Sequence, residues 1–532
     1  MKSKLKKIVI LFIGLVITFS LNNALNNYDG AQNELSIPKQ SVGDDDPIFI
    51  DGLATGVGAH NWTWAETQSW CSGSGIWNDP YIIENLKING SGTEKGIDIV
   101  QSNVYFIIQD CLIYNSQTGI YLQDVSNSRL INNNCSNNDL GMDLDTISNN
   151  TISGNTVNDN NNDGIHLECS NNNTLSGNTA NDNGDYGISL YDSDNNTISG
   201  NIANENDYGL ELYDSSDYNT ISGNTANDNN LKGIWIDSAY NNIISGNTAN
   251  YNDEGINLEK SNNNTLSGNT ANYNDEGIYL TSANNNTISG NTANGNQYGI
   301  HLDNACDYND IIDNIFYNNT LGIGIDSKCN NNSIYQNFFL ENGLHAEDDG
   351  TDNTWNTTSI GNYWDNWTSP DVSPNDGIVD DPYTYIGGSA GSIDYLPIAE
   401  DGAPVIVINS PDPGDVIGAT APSFDVTITD VYLVSMWYTL DGGLHNYTFT
   451  ENGVINQTAW AALPEGSVTI TFYASDIVGN EAIKHVVVTK SLTDDVGPVI
   501  IIIVVSIVSG VALIGVGYIY FKKRKIAIRK SE

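Results

Sequence analysis

The stretch Asn285-Asn-Thr-Ile-Ser-Gly-Asn-Thr-Ala-Asn294 decides the fold, because it keeps returning. Close copies stand at Asn172–Asn181, Asn195–Asn204 and Asn263–Asn272. One asparagine marks the register: Asn155, Asn178, Asn201, Asn224, Asn247, Asn269, Asn291 and Asn314, with looser members Asn133 and Asn337 outside them. Successive markers are roughly 22–23 residues apart, a period that predicts a solenoid. Three residues before each marker is a branched aliphatic, as in Ile198 and Ile221, and two after it a small or apolar residue, as in Ala203 and Ala226. A glycine then precedes an alternating pair, as in Gly187-Ile188-x-Leu190 and Gly233-Ile234-x-Ile236. Alternation with period two predicts short strands, one face in and one out. Parallel stacking at about 4.8 Å per coil joins the aliphatics into one core. About a dozen coils make a rod of roughly 55 Å. The marker asparagines are expected to form a structural ladder of stacked amides and to tolerate a left-handed turn. The glycine before each pair is expected to supply a turn backbone that other residues resist.

The outward residues of the glycine-led strand fall in two files. Asp143, His166, Ser189, Glu211, Trp235, Asn257, Tyr279 and His301 form one; Asp145, Glu168, Tyr191, Tyr213, Asp237, Glu259, Thr281 and Asp303 form the other. Carboxylates alternate with aromatics about 5 Å apart. Aromatic faces stack on sugars and paired carboxylates hydrolyse them. Tyr191, Tyr213, Trp235 and Tyr279 are therefore the candidate ligand-binding residues. Asp143, Asp145, His166, Glu168, Glu211 and Asp237 are the candidates if the chain is an enzyme. Neither lysine nor arginine falls in these two files, which argues against uronate chemistry. The balance favours a non-catalytic role in adhesion, glycan or partner binding, or envelope structure, with polysaccharide hydrolysis as the alternative.

Outside the repeat the ends are informative. Lys2, Lys4, Lys6 and Lys7 precede the apolar Ile8–Leu21, so residues 1–24 read as a signal peptide, followed by a disordered linker over 25–46. The solenoid with its caps is placed at 47–400, an Ig-like β-sandwich at 401–490 and a linker at 491–497. Residues 498–521 read as a transmembrane helix, and the basic cluster in 522–532 puts that tail in the cytoplasm. The expected product is a type I single-pass surface protein. Formal net charge is −46. Between signal and tail, nine cations face 64 carboxylates, and Arg129 is the sole arginine. That field excludes nucleic acid and polyanionic partners.

Sequons are dense, as at Asn61, Asn134 and Asn195, and suit a glycoprotein. Asp371, Asn375, Asp376 and Asp380 cluster around Gly377, which suits calcium. Cys306 and Cys329 lie one repeat apart, a spacing open to a disulfide. Trp355, Trp364 and Trp367 read as a cap over the end of the core rather than a sugar platform.

The coil N-N-T-I-S-G-N-T, the entry Asp79-Pro-Tyr-Ile-Ile-Glu84 and the exit Gly361-Asn-Tyr-Trp364 with Asp376-Gly-Ile-Val-Asp380 resemble the right-handed parallel β-helix repeats of NosD-like proteins and of carbohydrate-binding and sugar-hydrolase (CASH) domains. Trp437–Gly443 and Tyr473–Asn480 resemble Ig-like modules of prokaryotic, notably archaeal, surface proteins. The NosD resemblance implies copper handling. Copper takes His, Cys and Met ligands; here six histidines are scattered and only three methionines occur.

Overall fold

A computed structural model describes residues 45–372, 376–399, 402–430 and 432–492, with the backbone alone of 501–508 and 511–518. The signal peptide, the basic tail, most of both linkers and Asn375 lie outside the described residues.

The chain divides at residue 400 into two compact units. The first is a parallel β-helix. Two sheets of 13 strands run along it, one of them built from the glycine-led strands. Single-residue bridges, Thr156↔Thr179↔Ile202↔Thr225, trace a third side. Register is strict: Ile188 pairs with Leu210, Leu210 with Ile234 and Ile234 with Ile256. Every member of this aliphatic file is buried, as are Ile198, Ile221 and Ile244 of the opposing sheet.

The marker asparagines stack as buried ladders. Asn201 donates its backbone N–H and its amide Nδ2 to Asn224 Oδ1, each at 2.9 Å, and Asn224 repeats this to Asn247 at 2.9 and 3.0 Å. Each amide also donates back to a strand carbonyl, Asn224 Nδ2 to Ile198 O at 2.9 Å. The left-handed backbone belongs instead to the glycine before the marker (Gly200, φ 62°) and to the first asparagine of N-N-T (Asn195, φ 57°). Two further ladders run beside the first. Asn173, Asn196 and Asn219 form one; Asn183, Asn206 and Asn229 form the other.

The glycine before each aliphatic pair earns its place through space. A Cβ on Gly187 would lie 2.7 Å from Gly209 O, 2.7 Å from Ala203 Cβ and 2.8 Å from Asn206 Nδ2. The strand bends inward there, and no side chain fits.

Two of the three ladders end on buried carboxylates, while the third runs through Asn319 to Asn342 beside His345. Asn337 donates to Asn362 Oδ1, and Asn362 N–H donates to Asp394 Oδ2 at 2.8 Å. In the second file Asn332 donates to Asn353, whose Nδ2 donates to Asp348 Oδ1 at 2.9 Å. Trp355 and Trp364 lie in this cap, each 1% exposed, with Trp364 sandwiched between Phe339 at 4.3 Å and Tyr383 at 4.1 Å. No face of either indole is left for a ligand.

Cys306 and Cys329 are free thiols in a file that runs Ser170, Ser193, Ser216, Ala239, Ser261 and Ala283 before them. Ala283 N–H donates to Cys306 Sγ and Cys306 N–H to Cys329 Sγ, as Ser170 N–H does to Ser193 Oγ. Their sulfurs stand in for hydroxyl acceptors.

The second unit holds a two-stranded sheet (Val405–Ser410, Asp425–Thr429) and a five-stranded sheet that includes Leu433–Thr439, Gly466–Asp476 and Glu481–Lys490. Both face one core around Trp460, Ile470 and Phe472. Trp460 sits on a short helix, Gln457–Ala462, capped by Asn456.

The described parts of the C-terminal apolar run are strands, not helix. Ile501–Val508 and Val511–Tyr518 pair as antiparallel strands. Seven of the first eight residues are β-branched, which disfavours helix and suits strand. Among the described residues no helix is long and apolar enough to cross a membrane, a statement that does not touch strands.

Candidate functional site

The outward face of the glycine-led sheet collects the residues proposed from sequence. Pairing runs Asp143↔His166↔Ser189↔Glu211↔Trp235↔Asn257↔Tyr279↔His301 in one file. Beside it runs Asp145↔Glu168↔Tyr191↔Tyr213↔Asp237. A third file, absent from the sequence reading, lines the same face: Tyr186↔Tyr208↔Lys232↔Glu254↔Glu276↔Tyr298. These residues precede the glycines. Strict alternation turns them inward, but the bend at Gly187 and its equivalents brings them back to the outer side.

The third file supplies the missing cation. Lys232 Nζ lies 4.0 Å from the Trp235 ring centroid, 3.3 Å from Glu254 and 4.0 Å from Glu259. The expectation that this face has no lysine in register is therefore corrected. It also extends the aromatic run: Tyr186 stacks on Tyr208 at 4.9 Å, and Tyr208 on Trp235 at 5.2 Å.

Glu211 is the centre of the face. It is 6% exposed. The Tyr186 hydroxyl donates to it, and none of the described ion pairs includes it. Burial, then the charges of Asp163 and Asp237, push its carboxyl up to about 8. Burial also raises Asp143, Asp163 and Glu254. Asp237 has a different setting. Its Oδ1 accepts from the Ser238 hydroxyl at 2.9 Å and lies 3.9 Å from Lys260 Nζ.

His166 Nδ1 lies 2.8 Å from Ser189 Oγ and 3.6 Å from Asp163 Oδ2. A nucleophilic triad needs the serine and the acid on opposite ring nitrogens; here both use one, so no triad forms. His301 stacks on Tyr298 at 4.4 Å, with Glu276 at 3.2 Å on Nδ1 and Asp326 at 3.5 Å on Nε2. Burial opposes its charge, but the two carboxylates prevail and raise its pKa.

Four buried polar atoms on this face have no partner within the protein: Asp98 Oδ1, Trp235 Nε1, Asn257 Oδ1 and Glu276 Oε2. The last three occupy successive coils. Asn257 is fully buried, and its amide nitrogen is spent on Glu254 at 2.7 Å. Such atoms cost about 1–3 kcal/mol each unless a ligand or water meets them.

Of the proposed calcium residues, Asp371, Asp376 and Asp380 are described, and each accepts from a backbone N–H of the loop. Asp371 Oδ2 accepts from Gly377 N–H, Asp380 Oδ2 from Val372 N–H and Asp376 Oδ1 from Ile378 N–H. One oxygen of each carboxylate holds the loop, and Asp371 Oδ1 is buried without a partner in the protein. Among the described residues no group of three or more His, Cys, Asp or Glu side chains is placed to hold a metal.

A family model described as periplasmic copper-binding protein (NosD) matches residues 67–231 and 222–369, more than half of the chain. The chain belongs to the NosD family. No curated relative matches it. Among solved structures, the Azotobacter vinelandii mannuronan C-5 epimerase AlgE6 A-module is similar at 17% identity and TM-score 0.43, covering 51% of this chain and 87% of that one. The periplasmic alginate epimerase AlgG, as its T265N mutant, gives 15% identity and TM-score 0.34 over 51% of this chain and 84% of that one. The Dettilon tailspike protein gp208 gives 14% identity and TM-score 0.36 over 81% and 79%.

The donor set of this NosD-family chain does not fit copper. Met142 is fully buried in the core, and His345 is buried against Asp365 at 3.0 Å. His166 and His301 each engage carboxylates separately, and His445 pairs with Asp441. Copper sites need several soft or imidazole ligands about one point. None of the described histidines shares a site with another.

Proposed function

We propose that this protein binds a neutral polyhydroxylated chain, a glycan, laid along the outward face of the glycine-led sheet. The observation that carries the reading is the run Tyr186–Tyr208–Trp235, whose rings stack at 4.9 and 5.2 Å along that face and offer aromatic edges to sugar rings lying parallel to the axis. The surrounding carboxylates select against uronates and other polyanions.

The test is binding of the full-length protein to a neutral β-glucan, chitin oligomers, chitosan oligomers and polygalacturonate. A neutral or amino polymer is expected to bind and polygalacturonate to be rejected. Trp235→Ala is expected to weaken binding at least tenfold, since it removes about 1.4 kcal/mol or more of stacking and hydrogen bonding. Equal affinity for every polymer, or an unchanged Trp235→Ala, defeats the reading.

The apolar run from Val499, followed by Lys522, Lys523, Arg524 and Lys525, supports attachment to a membrane with the solenoid exported. Resistance of the full chain to carbonate extraction, lost on truncation after residue 492, tests this.

A further inference from the structure

We propose that the turn leaving the glycine-led strand is a modification site, where Asn149, Asn172, Asn195, Asn263, Asn285 and Asn331 each carry an N-linked sugar chain. The proposal requires the export proposed above and does not depend on glycan binding by the glycine-led face.

The six share one place in the coil. Each is the first asparagine of N-N-T, or of Asn331-Asn-Ser333, and so heads an N-x-S/T sequon. Each stands at the left-handed tip of its turn, with φ between 57 and 60°. All six are exposed, and no hydrogen bond among the described residues holds their amides. The middle residue of the triplet, as Asn173 or Asn196, is 1% exposed in a ladder. The turn that buries it leaves the asparagine before it outside. The hydroxyl residue lies on the outer side of the following strand: Thr151, Thr174 and Thr197 pair in register, as do Thr265 and Thr287, and none of them is buried. Both groups that a sequon-reading transferase must reach therefore face water, coil after coil.

Other sequons are built differently. Asn61 Nδ2 donates to Ala54 O at 2.8 Å while its Oδ1 caps a helix. Asn356 Nδ2 donates to Thr357 O at 2.7 Å while its Oδ1 accepts from Tyr395 N–H at 3.0 Å. An amide nitrogen held on a carbonyl is not presented as a nucleophile. The row also contains its own control. Asn241 occupies the same turn at φ 58°, but Ile243 stands where the threonine would be. Ile243 pairs with Thr220 and Thr265 and is 48% exposed, so the strand accepts a residue without a hydroxyl there.

The step is a substitution at C1 of a lipid-phosphate-linked oligosaccharide, brought by a membrane transferase. Asparagine Nδ2 forms the C1–N bond as the C1–O bond to phosphate breaks. The lipid phosphate leaves with the electron pair, and one Nδ2 proton passes to a base of the transferase. Carriers on successive coils stand about 4.8 Å apart, so the sugars on Asn149, Asn172 and Asn195 make one stripe and those on Asn263 and Asn285 another. Such chains are bulky and solubilising and stay at the surface.

The experiment takes the full-length protein from the cells that make it, cuts it beside aspartate and tyrosine, and weighs the intact peptides by mass spectrometry. A protease added to whole cells reports export in parallel. Sugar is expected at the six asparagines of the row and at none of Asn61, Asn241 and Asn356. Thr197→Val keeps a β-branched strand residue and is expected to lose the sugar at Asn195 alone. Ile243→Thr completes a sequon and is expected to gain a sugar at Asn241. A bare row in protein that the added protease reaches overturns the modification and leaves export standing. A bare row in protein that the protease cannot reach overturns both. Sugar at Asn61 or Asn356 beside a bare row, or an Ile243→Thr protein that stays bare at Asn241, overturns the role of the turn.

Discussion

Asn224→Ala is expected to lower the stability of the solenoid by about 3–5 kcal/mol. The asparagine is 2% exposed and every polar atom of its amide is used. Its Oδ1 takes two hydrogens from Asn201, and its Nδ2 serves Ile198 O and Asn247 Oδ1. Alanine removes all of these, leaves the Asn201 backbone N–H and one Asn201 amide hydrogen buried and unpaired, and takes one of its donors from the Ile198 carbonyl. Each orphan costs about 1–3 kcal/mol, which exceeds what a lost cavity contact alone explains. Asn227→Ala is the contrast. Asn227 Oδ1 takes one hydrogen, from Asn250 N–H at 2.8 Å, at a partly exposed position that water reaches. Its loss is expected to cost under about 1 kcal/mol. Urea unfolding followed by circular dichroism distinguishes the two; similar losses refute a special role for the buried ladder.

Glu211→Gln is expected to stabilise the protein at alkaline pH and to leave it unchanged below about pH 4.5. The carboxyl titrates at about 8 in the folded chain against a reference of 4.5. Between those values the folded state holds a proton that the unfolded state has released, so stability falls as pH rises through the window. The glutamate's penalty is absent below about pH 4.5 and fully present above about 8, where it is on the order of 4 kcal/mol. Glutamine has a similar shape and no charge to desolvate. Melting temperatures of both proteins from pH 5 to 9 should diverge progressively, the variant being the more stable at the alkaline end. Parallel curves across that range would mean that Glu211 ionises as an exposed carboxylate does.

The coil was legible because its physics is periodic. Each buried aliphatic and each marker asparagine must meet its own kind one coil away, so spacing alone located Ile198, Asn201 and their equivalents. The same text held the ladders through Asn196 and Asn206, but an asparagine in a polar turn looks like any other until the register shows it buried. The outward files were readable as far as period two holds. It fails at Gly187 and its equivalents, where the backbone bends to avoid the next coil, so the Tyr186–Lys232–Glu276 file and its lysine went unseen. The state of Glu211 was not legible at all. Its environment comes from Tyr186, Asp163 and Asp237, which sit 25, 48 and 26 residues away in sequence and become neighbours only through the stacking. The C-terminal run shows the opposite failure: its apolar length suggested a helix, while its β-branched composition favoured strands.

The buried carboxylates at the end of the amide files carry a consequence for assembly. An asparagine both takes hydrogens and hands them on, so a file of them has no intrinsic last member. Asp394 accepts from Asn362 N–H and from the Trp364 indole, and Asp348 accepts from Asn353 and from the Trp355 indole, but neither carboxylate has a hydrogen to pass to a further coil. They act as chain terminators. Without them the last coil would be a template, ready to seat the first coil of another copy and grow end to end like a fibril. Two aspartates therefore close two of the three files of a repeat that could otherwise run without limit, and Asn342 against His345 ends the third.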